Sequence, residues 1–245
     1  MEVQRDIIIP DVHAPYHDKR AVNLILDHVI PAFDWHGIRV LGDFYDCYPV
    51  SFHRKDPLRE SSFKKEMDKA RILLWRFEDA AEWEEMTFLE GNHEWRLPRY
   101  LADKAPELYE WFMANDPFDL KDWDVTPYQQ DTKIGRINYT HDVGIAGKHA
   151  LGRSLEAYQD NMVMGHIHRM DYKVAASATG VPHVGACFGW LGDIKKVDYM
   201  HSMKARSQWT LGFGVAYRLP NGTTWLVPVP IIKGGCILEG EYFHV

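Results

Sequence analysis

Cysteine is scarce in this 245-residue chain: Cys47, Cys187 and Cys236 are the full set. An odd, small number without C-x-x-C spacing excludes a disulfide framework and a thiolate zinc knuckle, and the thiols are read as reduced. No apolar run approaches the ~18 residues of a membrane-spanning helix, so no membrane association is expected. Residues 1–6 run directly into the apolar Ile7-Ile8-Ile9 without the pattern of a secretory leader, and a cytoplasmic location is expected. A basic surplus is missing too. The 28 Lys and Arg face 35 Asp and Glu, a formal net charge of −7, which argues against a surface coated for nucleic acid while leaving room for a local basic groove. Repeats, low-complexity tracts and Gly/Ser linkers are also lacking, so residues 1–245 read as a single domain. What is there is an ordinary globular composition, 46% hydrophobic and 26% charged, together with an unusual 13 His.

Short apolar runs at residues 7–9, 38–41, 86–89, 137–140 and 162–164 read as buried strands. Asp18 is placed to cap a helix that carries Val22, Ile25, Leu26, Val29, Ile30 and Phe33 at helical spacing, with Pro31 disturbing its end. A second helix carries Phe63, Met67, Ala70, Leu74 and Phe77 along one stripe, which reads as core packing. A further helix is expected near 147–158. Strands alternating with helices imply a parallel sheet covered by helices. Residues 97–130 break that rhythm with Tyr100, Trp111, Phe112, Phe118, Trp123 and Tyr128. A helical cap insertion walling a site is expected there, against the plainer reading of a packed surface excursion. Asn221-Gly222 then marks a hairpin between residues 210–219 and 223–230, so the chain runs from parallel α/β into antiparallel β.

Five clusters of metal-ligand residues each follow a predicted strand: Asp11-Val12-His13, Gly42-Asp43-Phe44-Tyr45-Asp46, Gly91-Asn92-His93-Glu94, His141-Asp142 and Gly165-His166-Ile167-His168. Ligands of open α/β sheets bind beyond the carboxyl ends of the strands, so five strands of one sheet would bring all five clusters to one rim. In Asp11-x-His13 and His166-x-His168, residues two apart on extended chain face the same side. Gly42, Gly91 and Gly165 each stand where the chain must turn sharply into its cluster. A single Asp-x-His is commonly a surface turn; the ordered set of five is what carries the inference. Imidazole, carboxylate and amide oxygen without thiolate suit Mn, Fe, Zn or Ni better than a structural zinc site or calcium. Four His, two Asp and one Asn exceed the needs of one catalytic ion and suit a pair sharing a carboxylate.

The ordered motifs D-x-H, G-D-x-x-D, G-N-H-[DE], H and G-H-x-H over residues 7–170 resemble those of the calcineurin-like metallophosphoesterase superfamily. The compact length, Gly91-Asn92-His93-Glu94-Trp95-Arg96 and Lys148-His149-Ala150 are similar to small phage-encoded members. The resemblance implies a two-sheet α/β/β/α sandwich of mixed sheets, with the antiparallel β tail in the second sheet. It implies two divalent ions, manganese first, with iron, zinc or nickel as alternatives. Asp11, His13, Asp43 and His168 would hold one ion, and Asp43, Asn92, His141 and His166 the other. His93 would be the catalytic imidazole and Asp46 the acid that orients it. The implied activity is phosphodiester hydrolysis on a nucleotide or nucleic acid, by a hydroxide between the metals with His93 as general acid. A phosphomonoesterase and a catalytically silent scaffold of the same fold are the alternatives.

Two departures bear on substrate. Protein phosphatases of that superfamily follow the second motif with an Arg that grips phosphate, whereas Cys47-Tyr48 stand here, which argues against a phosphoprotein. His141 is followed by Asp142 where Gly is common. Arg96 is expected to reach a phosphate oxygen or to form a surface ion pair, and Lys148 and His149 to contact substrate. His17 is a further candidate for the pocket, while His28, His36, His53, His183, His201 and His244 are read as structural or surface residues. Lys195, Lys196, Lys204 and Arg206 near Trp190 and Trp209 suggest a backbone-gripping loop, although Asp193 and Asp198 favour a solvated surface.

Overall fold

The computed structural model describes residues 2–53, 55–56, 62–176, 180–197 and 208–245. Two mixed sheets stack face to face. The first is built from β1 (Gln4–Ile9), β2 (Gly37–Val40), β3 (Glu85–Leu89), β4 (Asp124–Thr126), β10 (Gly212–Arg218) and β11 (Thr224–Pro230), in the order β11-β10-β1-β2-β3-β4. The second contains β5 (Asp131–Ile134), β6 (Ile137–Thr140), β7 (Met162–Met164), β8 (Met170–Ala176) and β9 (Pro182–Phe188), in the order β5-β6-β7-β9-β8. β12 (Gly235–Leu238) and β13 (Glu241–His244) form a separate antiparallel pair. Strands β1 to β4 run parallel, as do β6, β7 and β9.

Successive side chains of a strand face opposite ways, and β1 shows why its three isoleucines are all buried. Ile7 and Ile9 pack with the helices α1 (Lys19–Leu24) and α2 (Phe63–Glu78), while Ile8 joins Leu41, Leu89, Tyr139, Val163 and Phe188 between the two sheets. On the far side, α5 (Ala150–Tyr158) lays Leu151 and Leu155 against Met162, Met164 and Cys187 of the second sheet. The layers are therefore helix, sheet, sheet, helix. The stripe Met67, Ala70, Leu74 and Phe77 faces the core, and Phe63 packs at its margin. Fully burying each larger side chain of that stripe contributes roughly 1.5–3 kcal/mol. Asp18 caps α1, its Oδ1 accepting from the backbone N–H of Arg20 and Ala21 at 3.0 Å each. Beyond Leu24 the predicted helix loosens into a π turn and then a 3-10 turn at Ile30–Ala32, since Pro31 cannot continue the hydrogen-bond ladder. The hairpin turns at Asn221-Gly222, with Gly222 at φ 81°.

One expectation is corrected. The five ligand-bearing strands belong to two sheets, three to the first and two to the second. Short, wholly apolar strands look alike in either sheet, and the assignment is made by the antiparallel β5–β6 pairing that starts a new sheet. Residues 97–130, expected as a helical insertion, are partly helical. They hold α3 (Arg96–Lys104) and α4 (Tyr109–Ala114), then sink Phe118, Leu120 and Trp123 into the core and end in β4, an edge strand of the first sheet.

Candidate metal centre

Loops leaving β1, β2, β3, β6 and β7 meet where the carboxyl ends of the two sheets converge, and backbone hydrogen bonds tie them to one another. His13 N–H donates to the Asp43 carbonyl at 2.8 Å and Gly165 N–H to the His141 carbonyl at 3.0 Å, and from the segment after β9 Leu191 N–H donates to the Asp11 carbonyl at 2.9 Å. Six of the loop residues sit at positive φ without being glycine, and five of them are candidate ligands: Asp11 (25°), His13 (52°), Asp43 (51°), His166 (68°) and His168 (56°), the sixth being Cys47 (51°). Each such backbone costs about 1–3 kcal/mol and persists only where its surroundings over-determine it, so their concentration on the candidate ligands marks a site held against its local preference. Gly91 makes the close approach feasible: a Cβ there would stand 2.2 Å from Asp43 Oδ1 and 2.4 Å from its backbone nitrogen.

The donors fall into adjoining groups. Asp11, His13, Asp43 and His168 offer ligand atoms within 4.8 Å of one another, and so do Asp43, His141 and His166. Asp43 belongs to both. Asn92 joins the second group through Oδ1, which lies 2.8 Å from His166 Nδ1 and 3.1 Å from His141 Nε2. All seven residues expected as ligands are thus brought together. His141 Nδ1 donates to the Leu41 carbonyl at 2.7 Å, which leaves Nε2 to face Asp43 Oδ1 at 3.4 Å. Such an anchoring bond fixes the tautomer of a metal-binding imidazole.

Two further features fit divalent ions. Asp11 Oδ2 is buried and no described residue bonds to it, although Oδ1 accepts from His166 N–H at 2.9 Å. His13 Nε2 and His168 Nε2 face each other at 3.0 Å, close to the spacing of two nitrogens each about 2.1 Å from one shared ion. The electrostatics agree. Despite burial, the Asp43 carboxyl is held well below its ordinary value by His141 and His93. Burial alone would lower His141, yet Asp43 raises it to about 10. Burial opposes charge on His13 as well, and Asp46, Asp43 and Asp11 more than offset it. A carboxylate surrounded by imidazoles in a dry site is an arrangement that cations satisfy.

His93 and Asp46 lie beside the first group, but not in the simple pair expected. Asp46 Oδ2 lies 3.6 Å from His13 Nδ1, and Asp46 Oδ1 lies 3.8 Å from His93 Nδ1. Arg96 joins them, donating to His93 Nε2 and to the Asp46 carbonyl at 2.7 Å each and to Asp46 Oδ1 at 3.2 Å. Arg96 is therefore an internal brace, not the surface ion pair that was its alternative. Burial and the Arg96 charge push His93 well below its ordinary value, while burial of Asp46 is outweighed by His13, His93 and Arg96, which bring it down to about 2.

A cleft of about 480 Å³ opens over the centre, lined by Asp43, Asn92, His93, Arg96, His166 and His168 and by Lys148, Arg169, His53, Gln208 and Trp209. Lys148 lies on the cleft as expected, whereas His149 stands exposed at the start of α5, outside the lining. His17 is also outside the lining; it bridges to Gly192, and burial with the nearby Lys196 lowers it to about 4. His36 bonds to Glu85 and Glu84 at 3.1 and 3.2 Å, and His28 is exposed on its helical turn. His201, Lys204 and Arg206 fall outside the described residues. Asp142 shapes the loop after β6, Oδ1 accepting from Gly144 N–H at 2.7 Å.

Sequence reasoning missed four residues. Glu94 is fully buried and accepts three backbone N–H groups, from Asp43 (2.9 Å), Gly91 (2.7 Å) and Tyr45 (2.8 Å), so it fixes the loop that carries Asp43. Its burial and the Asp43 charge push it up to about 7. Its position in the third motif was the available signal. Trp190 stacks on His168, with ring centroids 4.9 Å apart and planes 17° apart. Arg169 and His53 reach the cleft, and adjacency to His168 was the only hint for Arg169. The three cysteines are free and buried.

No protein-family model matches the chain, and no curated protein matches it by sequence. Among solved structures it is similar to Haemophilus influenzae NAD nucleotidase at 10% identity and a TM-score of 0.41, covering 100% of this chain and 54% of that one. The chain thus spans about half the length of that protein. No helix among the described residues is long and apolar enough to cross a membrane.

Proposed function

We propose that the chain is a metal-dependent phosphoesterase with two ions, acting on a phosphodiester of a nucleotide or nucleic acid. The observation that carries this reading is the pair of adjoining donor groups sharing Asp43, assembled from five loops in strained backbone. Asp11, His13, Asp43 and His168 would hold one ion, and Asp43, Asn92, His141 and His166 the second. Bound divalent ions, manganese being the first choice, would supply a nucleophile from water near neutral pH and neutralise charge on the phosphoryl group. The chain's own residues do the rest. Glu94 and the Leu41 carbonyl orient Asp43 and His141. Lys148 and Arg169 face the cleft and attract the phosphoester anion. His93 is the proton donor for the leaving oxygen. Its Nε2 accepts from Arg96 in the free protein, so the donor role requires the bound anion to draw the Arg96 guanidinium toward itself and to favour a protonated imidazole.

The test is a panel of phosphoesters with added manganese, run on the wild type and His93→Ala. The variant should retain bound metal, lose about 10²–10⁴-fold on a dinucleotide and lose far less on bis(4-nitrophenyl) phosphate, whose leaving group needs no proton. Equal losses on both remove the acid role. No hydrolysis of any phosphodiester by the wild type removes the reading itself, and a preference for monoesters replaces the substrate class.

A further inference from the structure

The first turn of α3 forms a rim of the cleft that the metal centre does not use. Arg96 lines the cleft, while Trp95 and Arg99 are exposed beside it. Arg99 N–H donates to the Trp95 carbonyl at 3.2 Å, so the two side chains, one turn apart, share a face of the helix. Trp95 is 45% exposed, an unusual setting for so large an apolar ring. Its ring leans on Tyr128, with centroids 6.3 Å apart and planes 35° apart, and Tyr128 meets the His141 ring edge-on at 6.3 Å. The Arg99 guanidinium lies 4.2 Å above the centroid of the exposed Phe52 ring, and the next residue, His53, lines the cleft. These contacts string Tyr128, Trp95, Arg99 and Phe52 along one strip, with a candidate ligand at one end and the cleft wall at the other. No carboxylate of α3 interrupts it, Asp103 being the first along the helix.

Charge complements that strip. The chain as a whole carries −7, yet among the described residues the cleft is lined by Arg96, Lys148 and Arg169 against one carboxylate, Asp43. Arg99 adds a cation on the rim, and stacking on Phe52 leaves the edge of its guanidinium, with the N–H donors, open to an anion. A lone phosphate at the centre would leave Arg99 and the exposed indole idle. An anion that repeats, with flat groups between its charges, would engage both. We propose, resting on the phosphoesterase reading, that the substrate is a single-stranded polynucleotide. A base beside the scissile phosphate stacks on Trp95, and a flanking phosphate meets Arg99. Stacking on an indole reads no base edge, so strands of different sequence would bind alike. A duplex keeps its bases stacked within itself and has no face to give Trp95. A protein partner could cover Trp95 as well, but would not account for cations leading into the metal cleft.

The test uses a fluorescein-labelled oligothymidylate whose phosphorothioate linkages resist hydrolysis. It is titrated with the full chain in manganese, alone and annealed to its complement, and followed by anisotropy. The wild type should bind the single strand more tightly than the duplex. Trp95→Ala should weaken single-strand binding about ten-fold, and Trp95→Phe, which keeps an aromatic face, should fall between. Each phosphate contact to a single strand adds about 0.7 to the steepness of log K against log salt, so Arg99→Gln should flatten that slope by about this amount. A merely structural role for Arg99 would leave the slope where it was. Strand and duplex bound alike, no binding of the strand, a Trp95→Ala variant that binds it as the wild type does, or a slope unmoved by Arg99→Gln would each overturn the proposal. Hydrolysis of bis(4-nitrophenyl) phosphate by a wild type that binds no strand would sink the strand site alone and leave the phosphoesterase reading standing. Trp95-dependent strand binding in a protein that hydrolyses no phosphodiester would do the reverse.

Discussion

Removing Glu94 separates the hydrogen bonds of the centre from its charges. Glu94→Ala leaves the N–H groups of Asp43, Gly91 and Tyr45 buried without an acceptor. At about 2 kcal/mol for each orphaned donor the loss is roughly 6 kcal/mol. An opposing term comes from charge. Burial and Asp43 raise Glu94 from an ordinary 4.5 to about 7, so at pH 7 the folded state already carries a penalty of about 3 kcal/mol that the substitution relieves. The hydrogen bonds win, and a net loss of about 3 kcal/mol is expected, equivalent to a fall in Tm of roughly 6–12 °C in a chain of this size. Glu94→Gln relieves the same charge and keeps one oxygen for Asp43 and Gly91, losing only the bond from Tyr45. Its relief and its loss are of similar size, so its Tm should stay within about 4 °C of the wild type. Thermal unfolding followed by circular dichroism in chelator checks this, because metal loading then adds nothing to the difference. An alanine variant as stable as the wild type, or a glutamine variant as damaged as the alanine one, refutes the reasoning.

His17 and Arg169 give further tests. Burial, with Lys196, lowers His17 from 6.5 to about 4. A histidine lowered in the fold contributes stability that is complete above pH 6.5 and is lost as the pH falls toward 4, by at most about 3 kcal/mol. Urea unfolding of His17→Gln should therefore fall less steeply than the wild type between those pH values; parallel slopes would contradict the assignment. Arg169 lines the cleft, its Nε is buried, and no described residue bonds to that atom. Arg169→Ala should raise KM for bis(4-nitrophenyl) phosphate about ten-fold or more while kcat changes little, with partial rescue by Lys. An unchanged KM would leave Arg169 no part in binding.

The legible part of this molecule was the part written in short-range pattern. Ile7 to Ile9, the Phe63–Phe77 stripe and Asn221-Gly222 declare a strand, a helix and a hairpin through local chemistry, and the structure has each in place. The convergence of the seven expected ligands was legible because each cluster follows a strand end, and strand ends converge. What could not be read was long-range. Which sheet takes β6 and β7 depends on pairing with β5 and β9, and apolarity alone does not specify a partner. Arg96 was read as a phosphate contact or a surface ion pair, and its bracing role was not legible, because nothing local shows that α3 starts against Asp46 and His93. Glu94 stood in a legible motif, but its bracing role was not legible, since two of its three partners, Asp43 and Tyr45, come from another loop and meet it only in the fold. Trp190 and Trp209 were visible as aromatics, but their contact with His168 is a tertiary fact.

The central claim is that Asp43 stands between two cation sites built from loops far apart in sequence. Manganese bound per chain, measured by equilibrium dialysis after chelator removal, addresses it directly. The wild type should take up two ions. His166→Ala and His13→Ala should each lose one site selectively, and Asp43→Ala should weaken both. A wild-type chain that holds no manganese, or one whose uptake is unmoved by Asp43→Ala, would contradict the account.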